Sequence, residues 1–363
     1  MFKCLNDLMF SFENPLLVIE VARVFAVLAI SFIVAMSLTP LLTHFLYKYK
    51  IGKQIRAEGD TPVFTALHKK KTGTPTMGGL LIWIVVPILA ILFWILSCII
   101  DNPSINSINF LDRAQTYLPL GILVLAGMVG AIDDLMGVFR IGPKGGGLGI
   151  KERILLYTFV AVVGAFWFYF KLGWDMVHIP GIGDFSIGFW YFPLFIFVIV
   201  ATSFSLNETD GLDGLAGGVV LPAFGAFGAI AFAQGKVELA MFCAAIIGVL
   251  LAFLWFNVHP ARFYMGDTGS MALGVTLGVV AMLTNSFLIL PIVCFILVVE
   301  SASVIIQLTS KKFRKKKVFL SAPIHHHFEA LGWPECKVTM RFWIIAWVMS
   351  AIGLVIGLMG MGN

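Results

Sequence analysis

Long, uninterrupted hydrophobic runs dominate the chain and are separated by short polar connections. A helix of about 20 apolar residues can cross the hydrocarbon core of a bilayer, so each run is a candidate membrane span. The runs are continuous rather than alternating, which argues against a membrane β-barrel. The predicted spans are Pro15–Leu42, Gly79–Ile99, Tyr117–Met136, Ile154–Leu172, Trp190–Leu206, Leu212–Ala233, Val237–Val258, Ser270–Thr284, Phe287–Leu308 and Thr339–Met359. The pattern therefore predicts an all-α, polytopic integral membrane protein with ten spans, forming a single domain over residues 1–363.

Composition supports this class. Of the 363 residues, 59% are hydrophobic and only 12% are charged, against about 25% charged residues in soluble domains. These values exclude a disordered chain and a soluble globular enzyme. The five cysteines are scattered and lack the paired spacing of a zinc or redox centre, and a disulfide scaffold is excluded as well.

The basic residues indicate the orientation in the membrane. Ten spans put both termini on one side, and the connections and flanks on the other side carry nearly all Lys and Arg residues. The exceptions are Lys3, Arg23, Arg113, Lys171 and Lys236. By the positive-inside rule, the basic side is cytoplasmic and both termini are extracytoplasmic.

A polar cluster separates the fifth and sixth predicted spans. Its sequence is Asn207-Glu-Thr-Asp210-Gly-Leu-Asp213. Asp210 and Asp213 are three residues apart, so we expect them to share a helix face in the first turn of the sixth span, with Thr209 as the cap. A single acid there would merely complement the helix dipole. Two acids with Asn207 and flanking glycines favour a functional site.

Acidic residues also mark the ends of two other spans. Asp133 and Asp134 end the third span, and Asp267 precedes the eighth in a short connection that runs from Asn257 through Tyr264. Adjacent carboxylates repel each other unless a cation or proton intervenes. Carboxylate oxygens are also ligands that hold Mg²⁺ beside a phosphate substrate. The structural alternatives are a solvated helix end for the doublet and a turn with a helix cap for the connection.

Basic and imidazole groups occur on the same predicted face. The last large connection contains His325, His326 and His327, which cannot all face one point on a regular helix. They could bind a transition metal, titrate, or hold phosphate oxygens. Lys71 lies in a segment of basic, hydroxyl and glycine residues that could cradle phosphate. Carboxylates, cations and a membrane setting together predict phosphoryl transfer onto or off a lipid.

The motifs resemble those of the phospho-N-acetylmuramoyl-pentapeptide-transferases, within the polyprenyl-phosphate N-acetylhexosamine-1-phosphate transferase superfamily. The resemblance extends from His68 to the last span and rests on Lys71–Gly79, Asp133–Asp134, Thr209–Ala216, Met265–Ser270 and Ala322–Glu329. It implies the first membrane step of peptidoglycan synthesis, in a multi-pass protein of the bacterial cytoplasmic membrane. In that reaction, UDP-MurNAc-pentapeptide and undecaprenyl phosphate give lipid I and UMP with Mg²⁺ as cofactor.

The resemblance also implies roles for individual residues. Asp267 resembles the Mg²⁺ ligand, and Asp133 resembles the base toward the lipid phosphate. The implied catalytic residues are Asp133, Asp134, Asp267, His325 and His326. The implied substrate-binding residues are Lys71, Asn207, Asp210, Asp213, Asn257, Tyr264, Gln307 and His327. The family's members are usually homodimers, and no nucleic-acid partner is implied.

The chain departs from the usual family pattern at four positions near these motifs. Gly137 stands where Lys is usual, and Phe204 stands where Asn is usual. Glu208 replaces Leu, and Tyr264 replaces Phe. None of these changes removes any of the five motif aspartates, which are Asp133, Asp134, Asp210, Asp213 and Asp267.

Three alternatives remain open from sequence. The chemistry could proceed in two steps through a phospho-aspartate. The donor could be UDP-GlcNAc, although the His triplet argues against it. The chain could be a transporter, since intramembrane acids also relay ions. No inverted repeat or pair of broken helices is evident, and the acids cluster at one face rather than at the midplane.

Overall fold

The structure is a computed structural model that describes residues 15–49, 51–52, 73–100, 102–111, 114–142 and 147–361. Lys71 lies outside the described residues. Apolar runs form helices because a helix pairs its own backbone groups, which lipid cannot do. The helices are α1 (Pro15–Lys48), α2 (Leu80–Ile99), α3 (Pro103–Asn106), α4 (Ala114–Val138), α5 (Ile150–Phe166), α6 (Tyr191–Thr209), α7 (Leu215–Ala233), α8 (Val237–Asn257), α9 (Gly266–Leu283), α10 (Leu290–Val293), α11 (Phe295–Phe313), α12 (Ile324–Ala330) and α13 (Glu335–Gly360).

The number of spans agrees with the prediction. Nine of the described helices are long and apolar enough to cross a membrane. A further pair, Phe287–Val293 and Phe295–Phe313, is bent by 83° at Cys294 and counts as a tenth span if taken together. The all-α, polytopic fold is therefore confirmed. Within the described ranges this is the one broken span, so the two interrupted helices typical of many transporters are not found there.

A small antiparallel hairpin is an addition that the hydrophobic pattern did not predict. Its strands are β1 (Met176–Ile179) and β2 (Gly183–Ser186), and a π-helical turn, Trp167–Lys171, leads into it from α5. The register pairs His178 with Asp184. The strands are only four residues long, too short for a strand signal to be distinguished from a loop.

The helices α7, α8 and α9 form the centre of the bundle. Buried residues make up 83%, 78% and 94% of their membrane-crossing windows, respectively. The helix α9 packs against α4 and α6, whereas α8 packs against α1 and α7. This packing brings together the ends of α4, α6 and α9, which carry Asp133, Asn207 and Asp267.

The connection between α6 and α7 corrects one prediction. The helix α6 continues through Thr209, and α7 begins only at Leu215. Asp210 and Asp213 therefore lie in the connection, and the expected shared face in a first helical turn is wrong. Gly214 adopts a left-handed φ of 76° before the helix starts. The Thr209 hydroxyl does not cap α7 but donates to the Ser205 carbonyl oxygen at 2.7 Å.

Candidate active site

The adjacent carboxylates of α4 take separate partners. Asp134 accepts hydrogen bonds from the Thr268 backbone N–H at 2.9 Å and the Thr76 hydroxyl at 3.3 Å. Asp133 accepts one from the Leu148 backbone N–H at 2.7 Å. Both side chains are buried. Separate donors stabilise the two carboxylates side by side, as expected for a doublet that would otherwise repel.

One guanidinium links the helices that carry the acids. Arg153 of α5 donates from Nε to Asp133 Oδ2 and from Nη2 to Asp267 Oδ2, both at 2.8 Å. Its Nη1 donates to Asn207 Oδ1 at 3.2 Å. Asn207 Nδ2 in turn donates to Asp267 Oδ1 and to Ser270 Oγ. We call Asp133, Arg153, Asn207 and Asp267 the arginine cluster.

Arg153 is not conspicuous in the sequence, because it is one of many basic residues on the predicted cytoplasmic side. A usable signal was present. Arg153 lies four residues before Tyr157, which begins the buried stripe of α5 that continues at Val160 and Gly164. Residues at this spacing share a helix face, so Arg153 is directed into the bundle rather than toward solvent.

Asp267 lies in the first turn of α9, and a glycine places it beside α4. Gly266 has a φ of 74°, and a β-carbon there would lie 2.4 Å from Asp134 Oδ2. The same glycine donates its backbone N–H to Asp210 Oδ2 at 3.1 Å. Glycine is therefore required for this close approach. Asp210 and Asp134 therefore both lie against Gly266, the residue that precedes Asp267.

The donor chemistry of the arginine cluster fits a magnesium ion. Oxygen atoms of Asp133, Asp267 and Asn207 converge on one cationic group, the guanidinium. Carboxylate and amide oxygens are the ligand type that Mg²⁺ prefers. The side chain of Asp267 is 21% exposed, whereas that of Asp133 is 5% exposed. Asp267 is thus the more accessible of the two carboxylates to solvent.

A second cluster, the Asp213 cluster, consists of Asp213, His259 and Glu335. His259 Nδ1 lies 2.8 Å from Asp213 Oδ2 and 3.5 Å from Glu335 Oε2. Glu335 Oε1 accepts the Asp213 backbone N–H at 2.7 Å. One ring nitrogen of His259 and one carboxylate oxygen from each of the two acids, the atom types that can bind a metal ion, all lie within 4.8 Å of one another. The contacts tie two connections to the first residue of α13, and no sequence motif had singled out His259 or Glu335.

The histidine triplet lies on the short helix α12, which we call the histidine helix, and its three side chains face different partners, as predicted. His325 Nδ1 contacts Glu300 Oε2 at 2.9 Å, and His326 Nδ1 contacts Glu329 Oε2 at 2.7 Å. His327 Nδ1 accepts the Leu320 backbone N–H at 3.2 Å. Burial is the largest single influence on His325 and opposes its charged form, but the carboxylates of Glu300, Glu329 and Glu208 together outweigh burial and raise the pKa of His325.

Comparisons with known proteins place this geometry in a family. Residues 116–285, from α4 to just past α9, match the family model described as Glycosyl transferase family 4. A protein of Geobacillus kaustophilus (strain HTA426) named phospho-N-acetylmuramoyl-pentapeptide-transferase is 39% identical over 332 residues, covering 91% of this chain and 96% of that protein. One of the same name from Chloroflexus aggregans (strain MD-66 / DSM 9485) is 36% identical over 358 residues, covering 95% of this chain and 92% of that protein. The chain belongs to the phospho-N-acetylmuramoyl-pentapeptide-transferase family. This membership decides against the transporter alternative.

Three of the substrate-binding residues implied for this transferase family hold connections in place. Asn257 accepts the Gly214 backbone N–H at 3.0 Å and donates to the Phe263 carbonyl oxygen at 2.8 Å. Gln307 accepts the backbone N–H groups of Val318 and Phe319 at 2.9 and 3.0 Å. The backbone of Tyr264 pairs with the segment before α2, donating to Pro75 and accepting from Gly78, both at 2.8 Å.

Glu208, one of the positions where the sequence departs from the usual family pattern, adds a carboxylate beside the candidate active site. Glu208 is half-buried in the last turn of α6, next to Asn207. It lies close enough to Arg153 and His325 for electrostatic interaction with both. The carboxylate of Glu208 therefore interacts with a cation of the arginine cluster and with an imidazole of the histidine helix.

Proposed function

We propose that this member of the phospho-N-acetylmuramoyl-pentapeptide-transferase family transfers phospho-MurNAc-pentapeptide from UDP-MurNAc-pentapeptide to undecaprenyl phosphate, releasing UMP and forming lipid I. The observation that carries the proposal is the buried arginine cluster at one end of a membrane bundle, in a chain 36–39% identical to transferases of that name. This end faces the cytoplasm of a bacterial cytoplasmic membrane, and both termini lie on the other side.

The arginine cluster supplies the groups that this reaction needs. Asp267, with the amide oxygen of Asn207 beside it, would hold Mg²⁺, and the bound ion would neutralise negative charge on a diphosphate. Arg153 holds the two carboxylates at a fixed separation through its planar fork. Its positive charge also offsets the negative charge that collects where two phosphate substrates meet.

Asp133 acts as the base in a single displacement. It accepts any proton remaining on the undecaprenyl phosphate, and the freed oxygen forms a bond to the phosphorus that carries the sugar. The bond from that phosphorus to the bridging diphosphate oxygen breaks, and its electron pair leaves with UMP. The support is that the Leu148 N–H and Arg153 hold Asp133 in one orientation as a carboxylate. A phospho-aspartate intermediate would instead release UMP without any lipid acceptor.

The remaining implied residues surround this centre. Asp134, Asp210 and the histidine helix lie at the same end of the bundle. We assign Asp210, Asp213, Asn257, Tyr264, Gln307, His326 and His327 to the binding or shaping of the nucleotide and sugar site. Lys71 has the same assignment, and a homodimer remains a prediction.

The test is reconstitution with both substrates. The purified protein is incubated with UDP-MurNAc-pentapeptide, undecaprenyl phosphate and Mg²⁺, while UMP and lipid product are measured, with EDTA as the metal-free control. We expect UMP and lipid I in equal amounts, and neither with EDTA. Product only with UDP-GlcNAc would overturn the donor assignment, and UMP release without acceptor would overturn the single displacement.

A further inference from the structure

A fully buried carboxylate and imidazole pair lies beside the proposed site. Glu300 is on α11 and His325 is on α12, and both side chains have no exposed surface. His325 Nδ1 lies 2.9 Å from Glu300 Oε2. A buried charge without a partner is strongly unfavourable, so Glu300 requires the proton on His325 Nδ1. The contact therefore fixes the orientation of the imidazole ring.

Each residue of this pair has a second polar atom that makes no hydrogen bond within the described part of the chain. His325 Nε2 and Glu300 Oε1 are buried and have no hydrogen-bond partner there. Most buried side-chain polar atoms are paired, so an unpaired ring nitrogen points to a partner that arrives later. In a purely structural ion pair, we would expect both ring nitrogens to have hydrogen-bond partners.

His325 Nε2 is directed at the connection between α6 and α7. A β-carbon on Gly211 would lie 2.2 Å from this atom. Gly211 follows Asp210, whose carboxylate accepts the Gly266 N–H next to Asp267. The unpaired nitrogen therefore lies under a turn that adjoins the arginine cluster, and glycine is needed for the ring to come this close.

The charged groups that face His325 are mostly acidic. They come from three helices, and they are Glu300, Glu208 and Glu329, with the His326 ring centroid 4.1 Å from the His325 ring centroid. Three carboxylates around one imidazole favour the imidazolium. In that form both ring nitrogens are donors, so Nε2 carries a proton that it can offer to an anion.

We propose that Glu300 is a positioning residue that holds His325 as an imidazolium, with its Nε2–H aimed past Gly211 to donate to an anionic phosphate oxygen during transfer. The proposal rests on the proposed function, because it takes the phosphate from the diphosphate donor. Glu300 itself does not contact substrate. It sets the charge and direction of the imidazole, as a carboxylate does for a catalytic histidine in other sites.

Glu300→Gln is the decisive variant because it keeps the shape of the side chain and removes its charge. We expect kcat to fall about 10²-fold, the usual effect of losing one donor to developing charge, with KM for the donor nearly unchanged. The basic limb of the kcat profile against pH should move to lower pH, because the imidazole loses its proton more easily. Glu300→Asp, which restores the charge, should recover part of the activity.

Two further variants separate positioning from a merely structural role. The double variant Glu300→Gln, His325→Ala should be no slower than His325→Ala alone, because both changes remove the same donor. Gly211→Ala should lower kcat by displacing the ring. Asp184→Asn is the matched control, since Asp184 pairs with His178 at 2.7 Å at the far end of the bundle. It should leave the pH profile unchanged.

Thermal unfolding in detergent at a series of pH values tests the ion pair without any turnover. The raised pKa of His325 means that the pair stabilises fully below the unfolded pKa of His and loses this effect as pH rises through the folded value. Glu300→Gln should flatten this dependence. A wild-type pH limb in Glu300→Gln, or fully additive losses in the double variant, would overturn the proposal. An inactive wild type with the expected unfolding profile would instead overturn the proposed function.

Discussion

At the residue scale, Arg153 joins three side chains of the site, Asp133, Asn207 and Asp267. It is the one guanidinium in the described chain that bridges two of the proposed catalytic carboxylates, Asp133 and Asp267. Arginine suits this position because its planar fork has several donors in fixed directions, whereas a lysine ammonium is a single point charge. The identity of the cation, and not only its charge, is therefore expected to matter.

Arg153→Lys should lower kcat about tenfold, and Arg153→Met about 100-fold or more. The lysine keeps the charge but cannot contact both carboxylates and Asn207 at once. The measurement is UMP release at saturating substrates. Lys151→Met is the control, because Lys151 is exposed in the same helical turn. Wild-type turnover in Arg153→Met would remove Arg153 from the site.

Asp267→Asn should abolish Mg²⁺-dependent turnover while leaving membrane insertion normal. Outer-sphere partners of metal ligands cost about 10–100-fold when lost, so a direct ligand is expected to cost at least about 100-fold. The second readout is the Mg²⁺-induced rise in unfolding temperature, which should be lost. Asp175→Asn, at the hairpin end, should behave as wild type in both assays. An unchanged Mg²⁺ response in Asp267→Asn would contradict the assigned ligand.

At the element scale, short connections do as much as the helices to assemble the site. The connection after α11 is held by Gln307, which accepts two backbone N–H groups and donates to the Phe319 carbonyl oxygen at 2.9 Å. This connection leads directly to the histidine helix. Its order therefore affects how that helix docks.

Gln307→Leu should loosen the connection from Arg314 to Leu320. Three hydrogen bonds to backbone groups are lost, each worth about 1 kcal/mol. We expect trypsin to cut faster within the basic run from Lys311 to Lys317, with lower turnover in parallel. Thr309→Val, on the exposed side of the same helix, is the control. Equal cleavage rates for the two variants would show that Gln307 does not hold the connection.

Lys236 lies at the end of the bundle away from the candidate active site, where it links the ends of α7 and α9 to the start of α8. Its ammonium donates to the Gln234 side chain and the Leu283 carbonyl oxygen, both at 2.8 Å, and lies 5.5 Å from the centre of the Trp174 ring. Burial lowers the pKa of Lys236 from 10.5 to about 8. The amine therefore loses its proton in the folded protein before it does so in the unfolded chain.

The free energy of unfolding should therefore rise between about pH 8 and pH 10 through Lys236. In this window the unfolded chain binds more protons, so higher pH favours the folded state. Thermal unfolding of Lys236→Met should lack this rise. Lys171→Met should retain it, because Lys171 is exposed near the same end. Identical pH slopes in wild type and Lys236→Met would contradict the assignment.

At the scale of the whole molecule, chemistry and membrane anchoring are separated. The arginine cluster, the Asp213 cluster and the histidine helix lie at one end, and the hairpin lies at the other. Many large apolar side chains are exposed on the outer helices, as expected for a surface that faces lipid. The distribution of basic residues predicts which end of this axis faces the cytoplasm.

Cysteine labelling in intact cells tests that orientation. In a background with Cys4, Cys98 and Cys336 replaced by Ser, which leaves the buried Cys243 and Cys294, Asp184→Cys on the hairpin should react with a membrane-impermeant thiol reagent added outside. Lys315→Cys, in the basic run, should react only after the membrane is opened. Both positions are exposed, so access to the reagent depends on the side of the membrane. The reverse pattern would invert the proposed topology.

The sequence by itself determined the membrane class, nine of the ten predicted spans as continuous helices, and the acidic motifs. Hydropathy is a property of consecutive residues, so it can be read without knowing what each segment packs against. It located Asp133, Asp134 and Asp267 at helix ends, where the structure also has them. Helix geometry also indicated that three consecutive histidines cannot contact one target, because neighbouring residues on a helix point in different directions.

Only the tertiary structure decided which side chains meet. Arg153 and Asp267 are 114 residues apart, and Asp213 and His259 are 46 apart. No local pattern encodes such contacts, because each depends on how whole helices pack. The same is true of Glu300 and His325, which lie on separate helices. The start of α7 at Leu215 was also decided by tertiary contacts: Asn257 accepts the N–H of left-handed Gly214, and Asp213 is held by His259.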